Sequence, residues 1–125
     1  MNARHYQELI VWQKAMDLVI LVYAATESFP QKETFGLTNQ LRRSAVSVPS
    51  NIAEGQGRLT SGEFMHFLGQ ARGSLLELDT QLAIAHDLTY LDAHQQETLA
   101  LEIYQVLGLL NRLIESLRQR RGVSP

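Results

Sequence analysis

Cysteine is absent from this chain of 125 residues, and proline is scarce. Without cysteine the protein has no disulfide, no thiolate metal site and no thiol catalysis, and this composition suits a reducing compartment. We therefore expect a cytoplasmic protein. Only three prolines, together with many leucines, alanines and glutamines, favour helices over sheet.

Long apolar runs are also missing. The longest run in the first part of the chain is Leu18 to Ala25, which is much shorter than the roughly twenty residues that a membrane-spanning helix needs. Lys14 and Asp17 interrupt the segment before it, so it does not form the core of a signal peptide. We expect no membrane partner, and the length predicts one domain over residues 1–125.

The charges are unevenly distributed. The net charge of −2 gives no general attraction to nucleic acid. Residues 73–111 contain six acids and no lysine or arginine, whereas residues 112–121 contain four arginines and one acid. Nine arginines against two lysines favour a surface that contacts protein, because interfaces are enriched in arginine and depleted in lysine. A biased base composition explains this ratio equally well.

Apolar residues recur every three or four positions and predict helices at about 8–27, 36–55, 61–88 and 92–119, with a tail at 120–125. Four helices with short connections predict an all-α, up-down-up-down four-helix bundle. The strongest pattern is in helix 4: Leu99, Ile103, Val106, Leu110, Leu113 and Leu117.

Several residues mark where these helices begin, bend or end. Thr60 with Glu63, and Asp92 with Gln95, have the spacing of residues that cap a helix N-terminus. Pro49 lies inside helix 2, where it removes a backbone hydrogen bond, and it predicts a kink there.

Three glycines also carry structural expectations. Gly55 and Gly57 are expected to end helix 2 in a left-handed cap. Gly73 and Ser74, in the middle of helix 3, predict a close approach between helices at that point.

A stripe of small and polar residues runs beside the apolar face of helix 2, where a solvated helix would carry lysine and glutamate. Its members are Gln40, Ser44, Ser47, Asn51 and Glu54. Together with charged residues of helices 2 and 3, it predicts a hydrogen-bonded network at an interface, between subunits or with a partner. The predicted network consists of Arg42, Arg43, Ser47, Asn51, Glu54, Arg58, Glu63, Arg72 and Glu77.

The alternative for these residues is a set of ordinary surface salt bridges, worth about 0–1 kcal/mol each. If the network is buried, Glu54→Ala should cost about 3–5 kcal/mol, because it leaves a buried charge without its partner.

Motifs for catalysis or metal binding are weak. Glu63-x-x-His66 resembles half of a di-iron site, but the chain contains no second motif of this kind. Gly55-Gln56-Gly57 lacks the lysine and the preceding strand of a phosphate-binding loop. Helix 2 is rich in serine but has no histidine placed to act as a base. We therefore predict no catalytic residue, cofactor or metal, and a metal-dependent enzyme using Glu63 and His66 is the least favoured hypothesis.

A family resemblance rests on several segments of the chain. They are Val11-Trp12-Gln13-x-Ala15, Phe29-Pro30-x-x-Glu33-x-Phe35-Gly36-Leu37-Thr38-x-Gln40-x-Arg42-Arg43-Ser44-Ala45-Val46-Ser47, Ser50-Asn51-Ile52-Ala53-Glu54-Gly55, Glu63-Phe64 and Gly73-Ser74-Leu75-x-Glu77. Over about residues 8–91 the chain resembles the bacterial four-helix-bundle proteins encoded within intervening sequences of 23S ribosomal RNA genes. This resemblance implies homopentameric rings and no established enzymatic activity.

The chain also resembles the accessory protein of diversity-generating retroelements, a basic pentameric barrel that binds nucleic acid and a reverse transcriptase. The net charge of −2 departs from that basic character. Our first hypothesis is a non-enzymatic, ring-forming scaffold or accessory factor in an RNA-related process. The alternative is a protein that binds nucleic acid through an arginine-rich end of the bundle, whose predicted contact residues are Arg4, Arg58, Arg118, Arg120 and Arg121.

Overall fold

A computed structural model describes residues 5–122 of the chain, with side chains for residues 5–120. Within that range the regular structure is entirely helical. The four main helices are α1 (Ile10–Thr26), α2 (Leu37–Gln56), α3 (Ser61–Asp87) and α4 (Ala93–Gly122). Two short 3-10 turns, His5–Glu8 and Gln31–Glu33, precede α1 and α2.

The helices form an up-down-up-down bundle in which each helix packs against two neighbours. The pairs in contact are α1 with α2, α2 with α3, α3 with α4, and α4 with α1. The predicted all-α four-helix bundle is confirmed, and α4 extends slightly beyond its predicted end. The α2 helix continues through Pro49, and the kink at that residue stays a prediction.

The bundle interior is filled by leucine, isoleucine, valine and alanine from all four helices. The largest side chains that are completely buried are Leu18, Leu41, Ile52, Leu68, Leu75, Leu78, Leu82, Ile103 and Leu110. In α4 the predicted apolar stripe faces this interior, although Leu113 is only half-buried. The buried set follows the predicted helical spacing because each helix turns one face toward the common axis.

The predicted N-caps of α3 and α4 are confirmed. The backbone N–H of Gln95 donates to Asp92 Oδ1 at 2.7 Å, and the N–H of Asp92 donates to Gln95 Oε1 at 3.0 Å. The N–H of Glu63 donates to Thr60 Oγ1 at 3.1 Å. These bonds satisfy N–H groups that have no partner within the helix, and they fix where each helix begins.

The predicted left-handed cap at the end of α2 is wrong. Gly57 has φ −79°, in the right-handed region, and none of the glycines in residues 5–122 has positive φ. Gly55 is instead buried against α3, where an added β-carbon would lie 2.9 Å from Phe64 Cδ1 and from Phe67 Cβ. The absence of a side chain at Gly55 therefore allows α2 and α3 to approach each other near their connection.

The close approach predicted at Gly73 and Ser74 is made by Ser74 and not by Gly73. A β-carbon added at Gly73 would meet no other atom within 4 Å. The next residue, Ser74, lies at the α2–α3 contact instead, with its hydroxyl oxygen 2.8 Å from that of Ser47. The interhelical contact thus uses a residue one position later, about 100° further around the helix.

Glu33 joins the two connections at the other end of the bundle. Its Oε1 accepts the N–H of Leu37 at 3.1 Å, and its Oε2 accepts the hydroxyl of Tyr90 at 2.9 Å. The bond from Leu37, followed by that from Tyr90, lowers the pKa of Glu33 below its usual value. The same contact with the carboxylate raises the pKa of Tyr90.

Candidate interaction surfaces

Hydroxyl and carboxylate groups line the contact between α2 and α3. Ser44 Oγ donates to Glu77 Oε1 at 2.8 Å, and the hydroxyl oxygens of Ser47 and Ser74 are 2.8 Å apart. Asn51 Nδ2 donates to both the carbonyl oxygen and the hydroxyl of Ser47 at 2.9 Å. The structure therefore brings three residues of the predicted network into one line along the α2–α3 contact: Ser47, Asn51 and Glu77.

Gln81, which is not among the predicted residues, extends this line along α3. Its Oε1 is buried and has no hydrogen-bond partner among the described residues. It borders an opening of about 480 Å³ between α2 and α3, lined by Gln40, Arg43, Ser44, Ser47, Ser74, Glu77 and Gln81. The sequence spacing does indicate this position, because three polar residues recur at the three- and four-residue spacing of one helix face: Ser74, Glu77 and Gln81.

Arg42 belongs to a different contact, between α1 and α2. Its Nε donates to Thr26 Oγ1 at 2.8 Å, and its Nη2 donates to the carbonyl of Tyr23 at 3.4 Å. The guanidinium also lies 4.5 Å from the centre of the Tyr23 ring, a cation–π distance. Arg43, the next residue, borders the same α1–α2 groove and also borders the opening between α2 and α3.

The remaining charged residues of the predicted network are spread over the molecule. Arg72 Nε donates to Asn111 Oδ1 at 3.0 Å, which joins α3 to α4. Glu63 is exposed, and its carboxylate forms none of the salt bridges found among the described side chains. Within one chain the nine residues therefore do not form one network. Some of them lie at three different helix contacts, Glu54 and Arg58 pair with each other at the surface, and Glu63 is exposed. Their role at a subunit interface stays a prediction.

Two arginines at the predicted basic end are paired with nearby acids. Arg58 Nη2 lies 2.6 Å from Glu54 Oε1, and Arg118 pairs with Glu115. The Arg58 and Glu54 side chains are 41% and 56% exposed, so within one chain this is a surface salt bridge. Arg120 is exposed.

Arg4 and the side chain of Arg121, which also belong to the predicted nucleic-acid contact, lie outside the described residues.

Large apolar side chains are exposed on the outer surface of α1 and α2. Met16, Ile20, Tyr23 and Val46 are 37%, 65%, 41% and 40% exposed. Met16 and Val46 border one shallow groove together with Trp12, and Tyr23 and Val46 border a second one. We call Met16, Ile20, Tyr23 and Val46 the α1–α2 face.

A second apolar surface lies on α3 and α4. It consists of Leu76, Leu101 and Tyr104, which are 43%, 61% and 58% exposed. Leu76 follows Arg72 by four residues and Tyr104 precedes Asn111 by seven, so both lie on the side of the Arg72–Asn111 contact. We call Leu76, Leu101 and Tyr104 the α3–α4 face. It is opposite the α1–α2 face because the helices follow one another around the bundle.

The residues considered for metal binding do not converge. In the part of the chain that the structure describes, no three histidine or carboxylate side chains come together as metal ligands. His66 Nε2 lies 3.3 Å from the side-chain nitrogen of Gln70. None of the described helices is long and apolar enough to cross a membrane.

The fold and these surfaces define a small antiparallel four-helix bundle with a polar α2–α3 contact and two opposite apolar faces. The sequence pattern of the 23S rRNA-intervening sequence protein family matches residues 7–112. The chain therefore belongs to the 23S rRNA-intervening sequence protein family, as the resemblance in its first three helices predicted.

A solved structure confirms the fold. It is the crystal structure of a protein with unknown function from the S23 ribosomal protein family of Bacteroides thetaiotaomicron, with a TM-score of 0.78. The two chains are 20% identical, and the similarity covers 85% of this chain and 96% of the other. At this identity the likeness concerns the fold alone. No curated protein matches the sequence.

Proposed function

We propose that this chain is a non-enzymatic protein that assembles with copies of itself into a ring, and that the ring serves as a scaffold or accessory factor in an RNA-related process. The observation that carries the proposal is the presence of two exposed apolar faces on opposite sides of the bundle. A surface exposing several large apolar side chains close together is typical of an interaction site.

The positions of the two faces favour a head-to-tail contact. If the α1–α2 face of one copy packs against the α3–α4 face of the next, each copy retains one face for a further neighbour. Such head-to-tail contacts form a ring when the rotation from each copy to the next, repeated, returns to the first copy. Burial contributes roughly 25 cal/mol per Å² of apolar surface, and a stable contact of ordinary size buries about 800 Å² on each partner.

Exposed arginines lie beside both faces: Arg43 near the α1–α2 face, and Arg72 one turn before Leu76 on the α3–α4 face. The exposed apolar side chains, and not opposite charges, therefore support the proposed pairing. The resemblance to ring-forming relatives supplies the expected number of five subunits.

The mass of the protein in solution tests self-assembly. Light scattering should give about five times the chain mass of 14.1 kDa. Ile20→Glu and Leu101→Glu, one on each face, should each reduce that mass, because a charge at a buried contact is costly. Leu59→Glu is the matched control, because Leu59 is 97% exposed in the α2–α3 connection and lies outside both faces. A wild-type mass of 14.1 kDa at micromolar concentration would refute the proposal.

The second candidate function is nucleic-acid binding by the arginine-rich end. Arg58 lies in the α2–α3 connection and Arg118 in the last turns of α4, and a ring would repeat these charges around its axis. The pairing of both arginines with acids weakens this candidate, because it reduces the charge available for phosphates. RNA binding by the wild type should fall steeply with salt. Arg58→Gln and Arg118→Gln should weaken it, whereas binding insensitive to salt would exclude the mechanism.

A further inference from the structure

A residue that borders the opening between α2 and α3 carries a buried acceptor that the fold leaves without a donor. Gln81 is only 9% exposed, and its buried Oε1 accepts no hydrogen bond from the described residues. Folded proteins rarely leave such an atom unpaired, because it loses its bond to water and gains nothing in return. A partner from outside the chain would remove this cost. We call this opening, bordered by Gln81 and Glu77 among others, the α2–α3 slot.

A carboxylate lies one helical turn away in the same slot. Glu77 precedes Gln81 by four residues on α3, and it accepts one hydrogen bond, from Ser44. A carboxylate can accept about four such bonds, so it retains capacity for a ligand. No lysine or arginine occurs in residues 73–111, which include the second half of α3 and most of α4. Arg72, earlier on α3, donates to Asn111 of α4 instead. The negative charge of Glu77 is therefore not neutralised from its own side of the slot.

The serine hydroxyls of the slot are already paired. Ser44 donates to Glu77, and Ser47 and Ser74 bond to each other. Gln40 and Arg43, which carry further donors, lie in the same lining. On α3 the groups left for a ligand are two acceptors, the charged carboxylate of Glu77 and the buried Oε1 of Gln81. We propose that the α2–α3 slot binds a guanidinium group, with Glu77 pairing with its charge and Gln81 Oε1 accepting one of its N–H groups. Guanidinium carries five N–H donors and no acceptor, and it pairs with carboxylates through two parallel bonds.

Arg43 borders the slot and decides how the proposal can be tested. It is exposed, and it forms no salt bridge with Glu77 among the described side chains. An incoming guanidinium would be repelled by this like charge at the rim. Arg43→Ala should therefore strengthen binding, whereas a variant that merely damaged the slot would weaken it.

Two sources can supply the guanidinium, and calorimetric titration of the full chain distinguishes them. The probes are agmatine, a free guanidino compound, and a short end-capped peptide with a single arginine. Putrescine, which carries a primary amine in place of the guanidinium, is the comparison. Saturable binding of agmatine assigns the site to the free group, and binding of the peptide alone assigns it to an arginine held in a polypeptide. Either result supports the proposal if putrescine binds more weakly.

Variants of α3 test the two acceptors. Glu77→Gln should weaken binding about tenfold or more, because a bond to a charged group is lost. Gln81→Leu should weaken it several-fold without loss of helical content, measured by circular dichroism. Glu97→Gln, which removes an exposed acid from α4, should leave binding unchanged. The proposal does not depend on self-assembly, whose separate test is the mass in solution.

Three results would overturn it. They are the absence of saturable heat with both guanidinium probes at millimolar concentration, equal affinity for putrescine and agmatine, and equal weakening by Glu77→Gln and Glu97→Gln.

Discussion

Replacing Gln81 by leucine should stabilise the protein. The side chain is almost completely buried, and its Oε1 has no partner among the described residues. Leaving a buried acceptor unpaired costs about 1–3 kcal/mol. Leucine has a similar size and no polar atom. Burying it stabilises the folded state by at most about 1 kcal/mol, and an imperfect fit in the space that Gln81 occupies would offset this gain. The expected gain in free energy of unfolding for Gln81→Leu is therefore about 1–3 kcal/mol.

This gain is large against a typical total stability of about 5–15 kcal/mol, and it should raise the melting temperature by several degrees. The assay is thermal and urea unfolding followed by circular dichroism, at one fixed subunit concentration because assembly also stabilises. Gln70→Leu is the matched control, since Gln70 lies on the same helix and is exposed. Its effect should be within about 0.5 kcal/mol. If Gln81→Leu is neutral or destabilising while Gln70→Leu is neutral, Oε1 has a partner in solution and the reasoning fails.

Other substitutions and acid titration test further contacts. Gly55→Ala should destabilise the folded protein by about 1–2 kcal/mol, because the added carbon would lie 2.9 Å from two aromatic residues of α3. Gly73→Ala should instead stabilise it by up to about 1 kcal/mol, because the added carbon would lie in open space and alanine favours a helix. Glu54→Ala should change the stability of the single chain by only about 0–1 kcal/mol, because its pair with Arg58 is exposed; a loss of 3–5 kcal/mol in the assembled protein would instead place the pair at a buried interface. Because folding lowers the pKa of Glu33, the ionised carboxylate stabilises the folded protein at neutral pH. This stabilisation is lost as the pH falls below 4.5, the ordinary pKa of the group, and through the lower pKa of the folded state. Glu33→Gln should therefore reduce the acid dependence of unfolding, and an unchanged pH profile would show that the carboxylate contributes nothing.

The candidate surfaces were predictable only in part. The stripe of small and polar residues on α2 predicts a hydrogen-bonded network, and Ser47 and Asn51 do form hydrogen bonds along the α2–α3 contact. On α3 the approach expected at Gly73 and Ser74 is made by Ser74 alone. The buried acceptor of Gln81 was not foreseen, because a glutamine at the edge of an apolar stripe is equally compatible with solvent.

Adjacent charges show why a linear pattern could not assign partners. Arg42 and Arg43 differ by one residue, which is about 100° around the helix. This rotation directs Arg42 to Tyr23 and Thr26 of α1 and places Arg43 at the rim of the slot beside α3. A prediction from spacing alone grouped the two arginines in one network, because spacing describes one helix and not the helix that packs against it.

The sequence by itself determined the helices, the N-caps of α3 and α4 and the all-α bundle. These features depend on interactions between residues three or four apart, such as Asp92 with Gln95, and on the apolar periodicity that turns one face inward. Only the tertiary structure decided which residues meet across helices: why Gly55 must lack a side chain, where Arg42 binds and why Gln81 has no donor. The physical reason is that hydrogen bonding and steric contact act over a few ångströms in space, and the packing of distant segments sets those distances.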